Sequence, residues 1–96
     1  MMRVFYVYIM ASKRDGTLYV GMTSNLLRRV YEHKQGMIEG IAKRYGVKML
    51  VYYERYSKTI DAINREKCLK KWNRAWKVRI IEKMNPEWKD LSKELF

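Results

Sequence analysis

From Phe5 to Ala11 (FYVYIMA) nearly every position is apolar or aromatic, with Tyr6 and Tyr8 at a spacing of two, and Thr17 to Met22 (TLYVGM) is a second such run. Both read as strands. Between them Ser12-Lys13-Arg14-Asp15-Gly16 supplies turn chemistry, so the two should close an antiparallel hairpin. A loop centred on Lys13-Arg14 sets Tyr8 directly across from Tyr19 on one sheet face, whereas a tight Asp15-Gly16 turn shifts the register and separates the tyrosines. The residues do not choose between these. Gly21 closes the second run and is expected to let the chain turn where a side chain would obstruct it.

After Gly21 the period changes. Leu26, Leu27 and Val30 recur at helical spacing, which predicts a helix from about Ser24 to Gln35, capped by Thr23 or Ser24 and stopped by Gly36. Met37 to Gly46 has weak periodicity and reads as a loop with at most a short helical turn around Ile41 to Tyr45. Val47 to Tyr56 (VKMLVYYERY) is a third strand, apolar enough to be the middle of the sheet. Ser57 or Thr59 then caps a second helix whose core stripe is Ile60, Ile63, Leu69 and Trp72. Trp76, Val78, Ile80, Ile81 and Met84 predict a third helix after a break near Asn73, ended by Asn85-Pro86. Pro86 can open a terminal helix that docks Trp88, Leu91 and Leu95. Tryptophans 72, 76 and 88 are expected in the core rather than as base-stacking platforms.

Ninety-six residues make one domain spanning 1–96, able to bury roughly 60–65% of its unfolded surface in a single small core. Charge adds more: 21 Lys and Arg against 10 Asp and Glu give a net charge of +11, which attracts polyanions. Nucleic acid is the leading partner. A membrane is not expected, because the apolar run Val4 to Ala11 is too short to span one, and no secretory signal is read ahead of the first strand, so the expected location is cytoplasmic. Cys68, the single cysteine, cannot form an internal disulfide and is expected to be a buried thiol.

Several side chains could do chemistry. Arg29 and His33 stand four apart on the first helix, on the border of its apolar stripe and beside the strand-end Tyr19, an arrangement that could grip a phosphate. Lys43, Arg44 and Tyr45 suit a nucleic-acid backbone but read first as ordinary loop surface. Between Ala62 and Ile81 seven basic residues, among them Arg65, Lys70, Arg74 and Lys77, surround one acid, Glu66, and could supply non-specific affinity for a nucleic-acid backbone. By spacing Glu66 borders the buried face. It could pair with Lys70 four residues on, worth about 0.3–0.5 kcal/mol, or ligate a hard cation, since Mg²⁺ accepts a single carboxylate when phosphate and water complete its shell.

Tyr6-Val7-Tyr8, then Tyr19-Val20-Gly21 with its tyrosine eleven residues on, Arg29 ten beyond that, His33 four later and a helical Glu66 together resemble the GIY-YIG nuclease domain over essentially the whole chain. The likeness is to its short stand-alone bacterial members more than to the excinuclease ABC C subunit. The resemblance implies an α+β fold with a small three-stranded antiparallel sheet flanked by helices. It implies a divalent-metal-dependent endonuclease acting on nucleic acid, DNA more than RNA, in DNA repair or processing. Tyr8, Tyr19, Arg29 and His33 then match the family's catalytic positions and Glu66 its metal-binding glutamate, with Mg²⁺ or Mn²⁺ as cofactor. The family's late asparagine corresponds to Asn85, or alternatively to Asn73. Tyr6 replaces the glycine that names the first triplet. With no separate DNA-binding domain, specificity would come from this surface, from a homodimer or from a protein partner. Two other functions compete: a nucleic-acid-binding module that keeps the fold without cleaving, and an interaction protein whose basic face meets an acidic partner.

Overall fold

The computed structural model of the chain describes residues 3–95. Three strands, β1 (Phe5–Ala11), β2 (Leu18–Thr23) and β3 (Met49–Tyr56), form an antiparallel sheet in the order β2-β1-β3. The expectation that the third strand lies in the middle is corrected. β1 takes that place because both of its faces are apolar, which suits a strand covered on two sides. Val7 and Ile9 pack with Val20 and Val51 against Ala62, Leu69, Ile81 and Trp88. Tyr8, Met10 and Leu50 pack the other way, against Leu26, Val30, Ala42 and Leu91.

Helices α3 (Thr59–Lys71) and α4 (Arg74–Met84) therefore cover one face, and α1 (Leu26–Lys34), the short α2 (Ile41–Arg44) and a 3-10 turn (Leu91–Glu94) cover the other. Asn25, rather than Thr23 or Ser24, caps α1 through Arg28 N at 3.0 Å, and Gly36 ends the helix region at φ +70° as its position suggests. No side chain caps α3, whose cap position is Lys58 instead of Ser57 or Thr59. Ala62 and Leu69 line its buried stripe while Ile60 is exposed. Asn73 caps α4 by accepting from Trp76 N at 3.0 Å. The terminal turn begins at Leu91, later than Pro86 predicted, because Asp90 caps it. Cys68 and Trp76 are exposed, contrary to expectation, since both point off the thin packed stripes of α3 and α4.

The hairpin adopts neither of the two registers considered. Lys13 to Gly16 form a four-residue turn closed by Gly16 N donating to Lys13 O at 2.9 Å, with Asp15 left-handed at φ +58°, a conformation aspartate tolerates better than most residues. That centres the loop on Arg14-Asp15. Tyr8 consequently faces Gly21, and Tyr19 faces Met10. Gly21 is an ordinary mid-strand residue and not a turn: a Cβ there would lie 2.4 Å from Tyr8 Oη and 2.5 Å from its Cζ, so glycine makes the space that the Tyr8 ring crosses. On the other side of β1 a bulge skips Val51, whose carbonyl accepts from Asn85 Nδ2 at 3.2 Å. Asn85 also holds Lys89 through two further hydrogen bonds, so this buried amide ties the end of α4 to the sheet.

Replacing Gly21 with Ala forces Tyr8 or β2 to move. We expect a loss of about 1–3 kcal/mol, in the range of overpacked cores, read as a lower urea midpoint with an unchanged slope. A G21A protein as stable as wild type would refute the close approach.

Candidate active site

The register that places Gly21 under Tyr8 also aims the Tyr8 phenol toward the edge of the sheet, where α1 crosses. Arg29 and His33 lie one turn apart on the same side of α1 and therefore reach the phenol together. Tyr8 Oη lies 3.1 Å from His33 Nε2 and accepts from Arg29 Nη1 at 3.3 Å. Since the phenol oxygen accepts from arginine, its own proton is free to go to His33 Nε2, which puts the imidazole proton on Nδ1. Tyr19 completes a cluster of three rings. Its centroid is 5.1 Å from that of His33 and 6.4 Å from that of Tyr8, with Tyr8 and His33 5.6 Å apart.

Burial divides the roles. Tyr8 is fully buried and His33 nearly so, whereas Tyr19 is partly exposed. His33 thus sits within the apolar stripe of α1 rather than on its border. Burial pushes the Tyr8 phenol up to about 12, against the hydrogen bond and charge of Arg29, and the charges of Tyr19 and Glu66 push the same way as burial. Burial and the Arg29 charge bring His33 down to about 4, despite Glu32 and the Val47 backbone pulling upward. Its Nδ1 is buried without a hydrogen-bond partner. At neutral pH the pair is therefore a protonated phenol and a neutral imidazole. Arg29 loses favour for its charge through burial, but its contacts with Tyr8 and Glu32 more than offset this and raise its pKa.

Glu32, absent from the residues picked out by sequence, accepts from Arg29 Nε at 3.2 Å and lies 3.6 Å from Arg28. Its signal was the i, i+3 spacing to Arg29. Arg29 Nη1 also donates to the Met22 carbonyl at 3.3 Å, so the guanidinium is fixed by three partners while about a third of the side chain stays exposed. A polar hollow of about 290 Å³ opens beside it, lined by Thr23, Ser24, Asn25, Arg28, Arg29 and Glu32.

Glu66 comes from α3, which covers the opposite sheet face and packs over β2 and β1. Its carboxylate is 23% exposed and 3.7 Å from Lys70 Nζ, so the helical ion pair is present, yet its charge is felt at the Tyr8 phenol. The remaining basic candidates differ from one another. Arg65 is not a free cation: it makes a bidentate pair with Glu54, Nη2 to Oε2 at 3.0 Å and Nε to Oε1 at 3.0 Å. Lys43 is 3.5 Å from Glu39, and Arg44 lies over the Tyr45 ring at 5.6 Å. Arg74 is exposed and Lys77 partly so, both on α4, while Asn73 and Asn85 are occupied as described above.

A family model described as the GIY-YIG catalytic domain matches residues 4–79, a span that holds Tyr8, Tyr19, Arg29, His33 and Glu66. The chain belongs to the GIY-YIG family. A UPF0213 protein of Clostridium perfringens is 33% identical over 90 residues, covering 94% of this chain and 96% of its own. Another, from Syntrophus aciditrophicus, is 37% identical over 85% of this chain and 93% of its own. The solution NMR structure of a UPF0213 protein from Bacillus halodurans shares the fold, with a TM-score of 0.57 at 24% identity over 94% of this chain and 95% of that one. This chain thus matches short GIY-YIG relatives of about its own length.

The buried imidazole has a measurable consequence. Between pH 6.5 and about 4 the unfolded chain binds the His33 proton and the folded chain does not, so stability falls as pH drops through that window, by on the order of 2 kcal/mol. His33 is the single histidine, and its imidazole proton resonance should titrate with a midpoint near 4. A midpoint at 6 or above would show that the ring is not held neutral.

Proposed function

We propose that this protein is a divalent-metal-dependent endonuclease that hydrolyses phosphodiester bonds in nucleic acid, DNA in preference to RNA. The observation that carries this reading is convergence: β1, β2 and α1 bring Tyr8, Tyr19, Arg29 and His33 together, while Glu66 stands on α3, which packs over β2 and β1. Glu66 would hold Mg²⁺ or Mn²⁺. Among the described residues no three His, Cys, Asp or Glu side chains group together, so the donor set suits an ion completed by phosphate oxygens and water. When bound, such an ion offsets negative charge building on the phosphorus and on the leaving oxygen.

The chain's own residues then divide the work. Arg29, pinned by Glu32, Met22 O and Tyr8, presents its remaining N–H groups to a phosphate oxygen. Tyr8 is too buried and too firmly protonated to act as a base at pH 7, so it serves as the strut between Arg29 and His33. Tyr19, the accessible ring, orients the attacking water. Neutral His33 can accept a proton at Nε2 through the Tyr8 hydroxyl.

The role in this reading is DNA repair or processing in the cytoplasm, with specificity from this surface, a second copy or a protein partner. Among the described residues, no helix is long and apolar enough to cross a membrane. One observation favours a second reading. The Glu66–Lys70 pair at 3.7 Å partly neutralises the acid proposed to hold the metal, which suits a binding module that does not cleave.

Glu66→Gln separates the two readings. We expect nicking of plasmid DNA in Mg²⁺ to fall at least about 100-fold, the usual scale for removing one charge-stabilising group, while filter binding survives. Arg29→Ala should lower cleavage comparably. Wild-type protein that binds DNA but shows no nicking that EDTA abolishes would favour the binding module, and full cleavage by E66Q would remove the metal role.

A further inference from the structure

The sheet face opposite the ring cluster carries a chain of contacts that the proposed site leaves unused. Glu54 on β3 receives hydrogen bonds from Tyr52, from Tyr56 at 2.6 Å and from Arg65, which binds it in a bidentate fork. Burial works against the Glu54 charge, but these partners outweigh it and hold its carboxyl below the usual range. Above this pair the Arg65 guanidinium lies over the Trp72 ring, 5.0 Å from its centroid. Trp72 in turn meets Trp76 edge to face, with centroids 5.7 Å apart and planes at 88°. The chain ends at Trp76, which is 49% exposed.

A single exposed apolar residue is ordinary, and Ile60 and Met84 need no explanation. Trp76 differs because three successive contacts, rooted in the sheet, fix its ring in place without burying it. Its surroundings are cationic. Lys71 and Arg74 are exposed at the corner where α3 ends and α4 begins, and Lys77 follows Trp76 directly. The corner also lies close to the candidate chemistry, since Glu66 precedes the last residue of α3 by about 7.5 Å of helix rise, with Lys70 between them.

We propose that Trp76 is a stacking platform for an unpaired base, with Glu54, Arg65 and Trp72 as its support and the corner cations as contacts for the adjoining phosphates. The substrate class is accordingly nucleic acid that is single-stranded or carries a single-stranded segment. This inference rests on the nucleic-acid reading of the proposed function and narrows it. An aromatic face in a positive setting binds any base by its π-surface, without reading sequence. A second copy of the chain is disfavoured as the occupant, because a two-fold contact through Trp76 would set Lys71, Arg74 and Lys77 against their own symmetry mates.

Binding is measured in EDTA, so that no cleavage is required, with fluorescein-labelled oligothymidine and a duplex of the same length. Trp76→Ala should weaken oligothymidine binding about tenfold or more and duplex binding by less, while Trp76→Phe, which keeps a ring, stays within about threefold of wild type. Oligothymidine should quench the tryptophan emission of wild-type protein, and W76F should lose most of that quench. Equal losses on single strand and duplex, oligothymidine affinity unchanged in W76A, or a quench that persists in W76F would each overturn the proposal. So would self-association seen by sedimentation in wild type and lost in W76A, which would assign the ring to a dimer contact. Because the nuclease reading is tested by Mg²⁺-dependent nicking and E66Q, either idea can fail while the other stands.

Discussion

The Tyr8 hydroxyl is the constraint on which the α1 side of the sheet depends. A hydroxyl buried without partners costs about 1–3 kcal/mol, and this one is satisfied only if α1 delivers both Arg29 and His33 to it. Its ring fits only if the residue across the hairpin has no side chain. The four-residue turn at Lys13 to Gly16 satisfies the second condition by pairing Tyr8 with Gly21. A loop one residue longer or shorter would bring a different residue under the phenol. Loop length, glycine position and the Arg-x-x-x-His spacing on α1 are thus three expressions of one packing problem, and they explain why the two tyrosine triplets and the helix behave as a unit.

The two faces of the sheet handle charge differently. On the α1 face the fixed cation Arg29 is held by a phenol, a carbonyl and Glu32 while part of it remains open to solvent. On the α3 face the cation Arg65 is held by Glu54 and lies over Trp72, and its pKa rises well above the usual value, chiefly because of the Glu54 hydrogen bonds. Two arginines that look alike in a list of basic residues, with side chains 32% and 28% exposed, therefore differ in what holds them rather than in access. The difference comes from their partners. Glu32 neighbours Arg29 within one helix, whereas Glu54 meets Arg65 from a separate strand.

Much of the architecture was legible along the chain, because three strands and the main helices follow from hydrophobic periods of 2 and 3.6. The order of strands was not. Apolarity on both faces marks a central strand, and β1 and β3 both carry it for much of their length, so only the pairing of β1 with both β2 and β3 decides. The hairpin register escaped because it depends on a left-handed aspartate, a conformation available to Asp15 but not announced by it. His33 was legible as chemistry and not as core, since an imidazole counts as polar until its hydrogen bond to a buried phenol is known. Glu66 stood out as a lone acid in a basic stretch. Its electrostatic reach to Tyr8 could not be inferred, because α3 lies across the sheet from α1. Arg65, conversely, reads along the chain as a cation for nucleic acid because its partner lies eleven residues earlier on another element.

The protonation states bear on how such a site is switched on. With the phenol pushed up to about 12 and the imidazole brought down to about 4, neither ring carries charge near neutrality, and Arg29 is the one fixed positive group in contact with them. Both shifts have burial as their first cause, so the resting arrangement is set by exclusion of water more than by any one neighbour. A phosphate approaching Arg29 would bring negative charge beside the neutral imidazole and raise its proton affinity. His33 would then become a better acceptor only while substrate is bound. In the proposed nuclease a base weak alone and strengthened by its substrate would limit unproductive proton transfer, and the resting arrangement rests on the deep burial of Tyr8 that Gly21 makes possible.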